Sequence, residues 1–380
     1  MREPYQPPDH GTPGQPSGSD PSTTPRHHPS RHTAAGPTAP PTGTSNSHGF
    51  AGSLATSLEP HLRRACQDRL SAIEWFRSDW QAGGASTGRA MFNLADGTHA
   101  PAIVKVPVGP AEYRWTVALG GGQTSSHGPA DLGCPALCDF TPRVLASGTE
   151  LGGYDLAWLV IERLDGSPST ARPAEHDVRG LLAAASEFYR SAANARSLVD
   201  CEPPPAKDWA GLIAKGRDII HSHGIAEEQR WNTAIRTTQR VLPRLIERWM
   251  GRPINTWCHG DLHLGNVMHR PAPAQARGHT CVLIDLALVH PGHWVEDAVY
   301  LERLYWAKPE LLCGVKPVSE LARLKREQGH MGQEDYSTLA NIRRVLMAAS
   351  VPAFLLHEGH PKYVHAALEL LEKLLPLVGK

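Results

Sequence analysis

The sequence predicts an α+β fold, in which an antiparallel sheet of five strands is followed by a mainly helical region. Two observations predict it. From about residue 73 to residue 161, short runs rich in β-branched and aromatic residues alternate with glycine-containing turns, which is typical of strands and hairpins. From Val178 onward, apolar residues recur every three or four positions, which is typical of amphipathic helices. Such an arrangement leaves a cleft between its two parts, where we expect a ligand site.

The composition is that of a globular chain without a dominant charge. Its 380 residues include 38 Lys plus Arg and 38 Asp plus Glu, so net charge provides no attraction to nucleic acid or to a membrane. Seven scattered cysteines do not indicate a disulfide framework, and a reducing cytoplasm is the simpler setting. Cys134 and Cys138 could share a metal, but no second pair follows at zinc-site spacing. No apolar run reaches the ~20 residues that a membrane-spanning helix needs.

The composition along the chain indicates three segments. Residues 1–50 are rich in Pro, Ser, Thr, Gly and His and nearly lack large apolar side chains, so we expect a disordered tail. Its histidines could bind metal weakly, although a solvated tail is the simpler interpretation. We expect the strands to form one lobe over residues 51–166 and the helices a second lobe over residues 167–380.

The first lobe is expected to begin with a helix and to contain the five strands. The helix is predicted over Leu54–Leu70, and a second, short helix over Glu112–Leu119 lies between the third and fourth strands. A glycine-rich turn, Gly83–Gly88, joins the first two strands and is expected either to cover phosphates or to be an ordinary hairpin turn. The strands are predicted over Ile73–Trp80, Arg89–Leu94, Ala102–Val106, Arg143–Gly148 and Leu156–Ile161.

The second lobe is expected to consist of amphipathic helices, and the sequence shows no internal repeat of fixed period. Apolar spacing predicts helices over Val178–Tyr189 and Ala226–Met250, and Pro243 is expected to kink or split the latter. Two further helices are predicted near the end of the chain, over Tyr336–Leu356 and Tyr363–Leu375.

One loop and the strand that follows it carry the most specific chemical signal. The loop reads Cys-His-Gly-Asp-Leu-His-Leu-Gly-Asn from Cys258 to Asn266, and the run Val-Leu-Ile-Asp ends at Asp285. Mg²⁺ prefers carboxylate and amide oxygens, and Asp261, Asn266 and Asp285 supply such a set. Taken singly, these residues are also plausible as a turn residue, a helix cap and a strand-end cap.

This pattern resembles the catalytic loop and metal-binding segment of the aminoglycoside phosphotransferase family, the small-molecule branch of the protein-kinase-like fold. The resemblance implies a bilobal fold in which the first lobe binds nucleotide and the second binds substrate and performs catalysis. It implies that Asp261 is the catalytic base or orienting carboxylate, that His259 braces the loop, and that Asn266 and Asp285 bind Mg²⁺. Leu286-Ala287 stands where protein kinases have Phe-Gly, so the resemblance is not to that branch.

The strand Ala102–Val106 carries a lysine that fits this resemblance. Lys105 and Ile103 share one face of the strand, and a lysine in an apolar strand needs a partner for its charge. The resemblance implies that Lys105 binds the α- and β-phosphates of ATP and that Ile103 covers the adenine. Glu112, the one acidic residue between Lys105 and Asp131, would orient the lysine. The alternatives are a strand-end lysine that reaches solvent and a glutamate that stabilises a first helical turn.

The segment after the fifth strand is expected to be the hinge between the lobes. The resemblance implies that the Glu162 carbonyl and the Leu164 N–H bind the edge of the adenine, with Ile161 behind it. Asp297 resembles an acidic family residue with a structural role. His263 could reach a substrate or phosphate, although a loop histidine without such a role is the simpler interpretation.

These residues predict an enzyme that uses ATP and Mg²⁺ to phosphorylate a hydroxyl group of a small molecule, such as an aminoglycoside, an amino alcohol or a sugar. One alternative is a kinase-like protein that binds nucleotide without catalysis. Another is a metal-dependent hydrolase, because His259, Asp261 and His263 alternate in the manner of metal ligands. A pocket for a polycationic aminoglycoside is usually acidic, but the sequence does not reveal which acidic residues would face it. The acceptor and the oligomeric state therefore stay open.

Overall fold

The structure is a computed structural model that describes residues 50–76, 85–121, 139–168, 170–199, 201, 204–271, 279–355 and 359–379. Three sequence-based expectations lie outside these residues. They are the disordered tail (apart from its last residue, Phe50), the Gly83-Gly84 part of the glycine-rich turn, and the cysteine pair Cys134 and Cys138.

The sheet has the five antiparallel strands that the sequence predicts. Their spatial order is β1-β2-β3-β5-β4. A helix, α1 (Phe50–Ala65), precedes the sheet, and α2 (Pro110–Gly120) connects β3 to β4. The strands are β1 (Glu74–Phe76), β2 (Ser86–Asn93), β3 (His99–Val106), β4 (Val144–Gly148) and β5 (Trp158–Glu162).

The alternation along β3 decides which side chains face the ligand site. Val104 and Val106 are fully buried in a cluster with Leu62 of α1. Ile103 points to the opposite face and packs against a second cluster beside α2. Because side chains of a strand alternate between faces, Lys105 lies on the Ile103 side, as predicted.

The remainder of the chain is mainly helical, which confirms the predicted α+β class. α5 continues through Pro243, so the expected split does not occur; buried residues on both sides of the proline, including Ile235 and Leu245, hold the helix together. Among the described residues, no helix has the length and apolar character needed to cross a bilayer. The helices are α3 (Glu175–Ala195), α4 (Trp209–His223), α5 (Glu228–Met250), α6 (Val295–Leu304), α7 (Pro317–Glu327), α8 (Tyr336–Ser350) and α9 (Pro361–Val378).

Two small strand pairs position the central loop, which we define as residues 259–266. β6 (Thr256–Cys258) leads into the loop and pairs with β9 (His290–Gly292). The loop then continues into a hairpin of β7 (Val267–Pro271) and β8 (His279–Leu283). Both ends of the loop are therefore held by antiparallel pairing.

Candidate active site

A cavity of about 950 Å³ brings together residues from the sheet, from α2 and from the central loop. Of the nine predicted site residues, His259 alone does not line it, being fully buried behind the loop. The eight that do are Ile103, Lys105, Glu112, Glu162, Leu164, Asp261, Asn266 and Asp285.

The start of the central loop is held by a buried carboxylate. Asp297, near the start of α6, is 1% exposed and accepts hydrogen bonds from the backbone N–H of His259 at 2.7 Å and of Gly260 at 2.9 Å. It also accepts one from the Tyr189 hydroxyl at 2.9 Å. These contacts agree with the structural role expected for Asp297, because they satisfy a charge that would otherwise be costly to bury.

His259 connects the loop to the strand that precedes Asp285. Its Nδ1 accepts a hydrogen bond from the Asp261 N–H at 3.3 Å, and its Nε2 lies 3.1 Å from the Ile284 carbonyl oxygen. Burial lowers the pKa of His259, so the ring is neutral at physiological pH. A neutral imidazole has one acceptor and one donor nitrogen, and both are used here. His259 therefore connects the loop to the segment before Asp285 from a buried position outside the cavity lining.

Gly260 allows the loop to turn tightly against the segment after Asp285. Its φ is +86°, and a Cβ at this position would lie 2.2 Å from the Leu288 carbonyl oxygen. We expect Gly260→Ala to lower the free energy of unfolding by at least about 2 kcal/mol, because left-handed strain is added to a backbone clash. Chemical denaturation measures this difference.

Gly97→Ala is the matched control, since Gly97 has φ +83° and no heavy atom within 4 Å of the added Cβ. That variant should show the backbone strain alone, about 1 kcal/mol. Equal losses in the two variants would contradict the proposed clash at Gly260.

Asp261 is held by hydrogen bonds on both carboxylate oxygens. Oδ1 accepts from the Tyr300 hydroxyl at 2.6 Å, and Oδ2 accepts from the Asn266 side-chain nitrogen at 2.9 Å. His263 Nε2 lies 3.4 Å from Oδ2, while His263 Nδ1 accepts from the Gly265 N–H. The hydrogen bond from His263, followed by those from Tyr300 and Asn266, holds the pKa of Asp261 well below its usual range. The carboxylate is therefore ionised and fixed in direction.

The same contacts argue against the metal-hydrolase alternative. The ring nitrogens of His259 bind the Asp261 N–H and the Ile284 carbonyl, and His263 Nδ1 is taken by a backbone N–H. His263 Nε2 lies 3.4 Å from Asp261 Oδ2, so a metal shared by these three residues would have to replace contacts that the chain already makes.

The β7–β8 hairpin places Asn266 beside the segment that ends at Asp285. Val267 pairs with Leu283, and the Ile284 N–H donates to the Asn266 carbonyl at 3.0 Å. The Asn266 side-chain nitrogen also donates to the Asp261 carbonyl at 2.9 Å, so its amide oxygen is the atom left for another ligand. This hairpin pairing brings Asn266 and Asp285, two oxygen-bearing residues separated in sequence, to neighbouring positions at the cavity.

Asp285 has an unusual backbone and no partner for its side chain. Its φ is +61°, a region that non-glycine residues rarely occupy. Within the described part of the chain, its carboxylate makes no hydrogen bond or ion pair, and it lines the cavity. The strained backbone and an exposed carboxylate that lines the cavity fit a metal ligand, and the Asp285 carboxylate with the Asn266 amide oxygen matches the hard donors that Mg²⁺ prefers.

Lys105 and Glu112 form an ion pair on the opposite side of the cavity. Their side chains are 17% and 12% exposed, so this pair is much less screened than a surface pair. Glu112 lies in the first turn of α2. The pair that the sequence predicts is thus formed, with the lysine at the cavity.

In the segment after β5, the backbone is more available to a ligand than the Glu162 side chain, because that side chain already has protein partners. Arg270 of β7 pairs with the Glu162 carboxylate, which also accepts the Arg143 N–H at 2.8 Å. In the described residues, the Leu164 N–H donates to no protein acceptor. The apolar side chains that line this end of the cavity suit a flat ring: Ile103, Leu159, Ile161, Met268, Ile284 and Leu286.

Sequence reasoning missed several residues of the site. Thr87 and Arg89 of β2 line the cavity, and Tyr300 of α6 binds Asp261. Tyr300 could have been predicted to lie near the central loop, because it is three residues after Asp297 and hence on the same face of α6. Arg270 had no signal, because its partner Glu162 is 108 residues away in sequence.

The sequence matches one family of known proteins. The model of a family described as "Phosphotransferase enzyme family" matches residues 129–339, more than half of the chain. A search of curated proteins finds no match.

Three solved structures are similar in fold. An aminoglycoside phosphotransferase from Alicyclobacillus acidocaldarius is 15% identical, with 82% of this chain and 91% of that chain covered and a TM-score of 0.49. A putative aminoglycoside phosphotransferase from Ralstonia eutropha is 13% identical, with coverages of 83% and 98% and a TM-score of 0.47. An amicoumacin kinase in complex with AMP-PNP, Ca²⁺ and its ligand is 11% identical, with coverages of 86% and 96% and a TM-score of 0.46. All three scores are below 0.5, so family membership rests on the sequence match.

Proposed function

The chain belongs to the phosphotransferase enzyme family, and we propose that it transfers the γ-phosphoryl group of ATP to a hydroxyl group of a small molecule. The observation that carries this proposal is the convergence in one cavity of a partly buried Lys105–Glu112 pair with Asp261, Asn266 and Asp285. Phosphoryl transfer needs mainly positioning and charge neutralisation, and these residues supply both. In this proposal residues 51–166 form the nucleotide-binding lobe and residues 167–380 the catalytic and substrate-binding lobe.

Each residue has one role in the proposed reaction. Asp285 and the Asn266 amide oxygen would hold Mg²⁺, which when bound neutralises charge on the phosphates. Lys105, oriented by Glu112, binds the α- and β-phosphates. The Glu162 carbonyl and the Leu164 N–H bind the adenine edge, and Ile103 covers the ring.

Asp261 acts on the acceptor. Its carboxylate accepts a hydrogen bond from the acceptor hydroxyl and directs the oxygen toward the γ-phosphorus. Since its pKa is well below the usual range, Asp261 is an orienting carboxylate more than a strong base. A loose transition state requires little removal of the hydroxyl proton before transfer, so this weak basicity is compatible with catalysis.

Lys105→Met tests the phosphate contact. We expect turnover to fall by roughly 10²-fold and the KM for ATP to rise, because a charged contact to the phosphates is lost. Lys215→Met is the control, since Lys215 is exposed on α4 and away from the cavity. Steady-state kinetics with varied ATP compares the two. Equal kinetics in both variants would remove Lys105 from the nucleotide site.

A two-part experiment on the full chain tests the proposed function. Thermal shift with Mg²⁺ and AMP-PNP reports nucleotide binding, and transfer from γ-labelled ATP to a panel of hydroxyl compounds reports catalysis. Binding together with transfer that depends on Asp261 supports the proposal. Binding with neither transfer nor Asp261-dependent ATP hydrolysis favours the non-catalytic alternative.

A further inference from the structure

One face of α6 lies directly beside the carboxylate that would orient the acceptor. The Tyr300 hydroxyl is 2.6 Å from Asp261 Oδ1. Helical spacing places Arg303 and Leu304, three and four residues later, on the same face as Tyr300. An acceptor hydroxyl that reaches Asp261 therefore brings the rest of its molecule past these side chains.

The start of α9 extends this face with aromatic rings. Arg303 Nε donates to the Tyr363 hydroxyl at 2.8 Å, which holds α9 against the end of α6. The rings of Trp306 and Tyr363 stack, with centroids 6.0 Å apart and an angle of 15° between their planes. Both side chains are partly exposed.

Two exposed leucines lie on the elements that contact the Asp261 region: Leu304 is one turn after Tyr300 on α6, and Leu288 follows Asp285. Leu304 is 45% exposed on α6, and Leu288 is 59% exposed on the turn that follows Asp285. The Leu288 backbone packs against Gly260, the residue before Asp261. Apolar side chains left in water beside a reactive group are explained if a ligand covers them. We define Leu288, Tyr300, Leu304, Trp306 and Tyr363 as the acceptor wall.

The acceptor wall lacks the charge that a polycation needs. Each carboxylate of α6 already has protein partners: Glu296 binds Arg252 at 3.0 Å, Asp297 binds the central loop, and Glu302 binds Arg344 at 2.7 and 2.9 Å. The first turn of α9 carries no acidic residue. In α6 and the first turn of α9, as described, each carboxylate therefore already has a protein partner, and none of them is left to attract a polycation.

We propose that the acceptor is a neutral or anionic hydroxyl compound that carries an aromatic or aliphatic group near the reacting hydroxyl, and not a polycationic aminoglycoside. This inference rests on the proposed function, because it places the acceptor hydroxyl at Asp261. The apolar part of the acceptor packs on the exposed leucines and the stacked rings, and its polar part stays toward the cavity.

Binding of 8-anilinonaphthalene-1-sulfonate, an anionic aromatic probe, tests the inference on the full chain with the nucleotide site saturated by Mg²⁺ and AMP-PNP. We expect Leu304→Glu to weaken probe binding at least about tenfold, since a carboxylate is placed on the apolar surface. Leu377→Glu is the matched control, as Leu377 is a 63% exposed leucine at the far end of α9. Phenyl β-D-glucopyranoside, a neutral aromatic hydroxyl compound, should displace the probe from the wild-type chain at a lower concentration than kanamycin A, a polycation.

Two results overturn the inference: equal probe affinity in the wild type and Leu304→Glu, or displacement of the probe by kanamycin A at a lower concentration than by phenyl β-D-glucopyranoside. The probe titration is repeated without nucleotide, so that it reports the wall by itself. A chain that shows the Leu304 effect but no thermal shift with Mg²⁺ and AMP-PNP contradicts the proposed function and leaves the wall standing. A normal thermal shift without the Leu304 effect contradicts the acceptor wall and leaves the proposed function standing.

Discussion

We expect Asp285→Asn to abolish Mg²⁺-dependent nucleotide binding and to lower turnover by roughly 10³-fold, about 4 kcal/mol of transition-state stabilisation. The reason is that Asp285 contributes a full negative charge to the proposed metal site, and an amide replaces it with a weak dipole. Asparagine tolerates the left-handed backbone at φ +61°, so the variant should fold and isolate the effect of charge. Titration calorimetry with Mg²⁺ and AMP-PNP, followed by transfer kinetics, measures both losses.

Asp68→Asn is a matched control for this prediction. Like Asp285, Asp68 is an exposed aspartate with positive φ, +56°, but it does not line the cavity. The Asp68→Asn variant should bind Mg²⁺ and AMP-PNP as the wild type does. If Asp285→Asn also binds Mg²⁺ and AMP-PNP with wild-type affinity, Asp285 is not a metal ligand.

Asp261→Asn should lower turnover by about 10²–10⁴-fold while nucleotide binding persists. The amide keeps the shape of the side chain, but it lacks the charge that accepts and directs the acceptor hydroxyl. Separate measurement of nucleotide affinity and of phosphate transfer distinguishes this loss from that at Asp285. Asp155→Asn, on the exposed turn between β4 and β5, serves as the control. Wild-type turnover in Asp261→Asn would rule out the role proposed for Asp261.

The pH dependence follows from the depressed pKa of Asp261. Its hydrogen bonds stabilise the carboxylate in the folded chain, so this contribution to stability is present above the unfolded pKa of about 3.9 and is lost as pH falls through the lower folded value. Protonation of Asp261 therefore produces no acid limb in turnover between about pH 5 and pH 8. An acid limb in that range that moves upward in Tyr300→Phe, where one hydrogen bond to Asp261 is removed, would contradict this assignment.

Local patterns explain why much of the site was predictable. The two-residue period of β3 places Ile103 and Lys105 on one face, and the single acidic residue of α2 leaves Glu112 as the partner of the lysine. The period of β3 depends only on adjacent residues, and the Lys105–Glu112 pair depends on the short connection between β3 and α2. The spacing of Asp261 and Asn266 likewise depends on a single loop.

Long-range packing explains what was missed or left open. Arg270 meets Glu162 across 108 residues, so this contact has no local signature. Helical spacing from Asp297 could have pointed to Tyr300, but its contact with Asp261 spans 39 residues and depends on packing. Of the kink or split expected at Pro243, the split does not occur, because buried residues on both sides of the proline hold α5 together.

The sequence by itself determined the succession of the five sheet strands, several of the helices and the identity of the oxygen-bearing side chains, since these follow from periodicity and from the spacing within one loop; it did not predict α4, α6 or α7. The tertiary structure alone decided that Asp285 lies next to Asn266, that Asp261 is held by Tyr300, and that the carboxylates of α6 are already bound. The physical reason is that the direction of a side chain and the partner that neutralises it depend on packing between elements that are distant in the chain. For the same reason, the character of the acceptor could be inferred only from the packed helices.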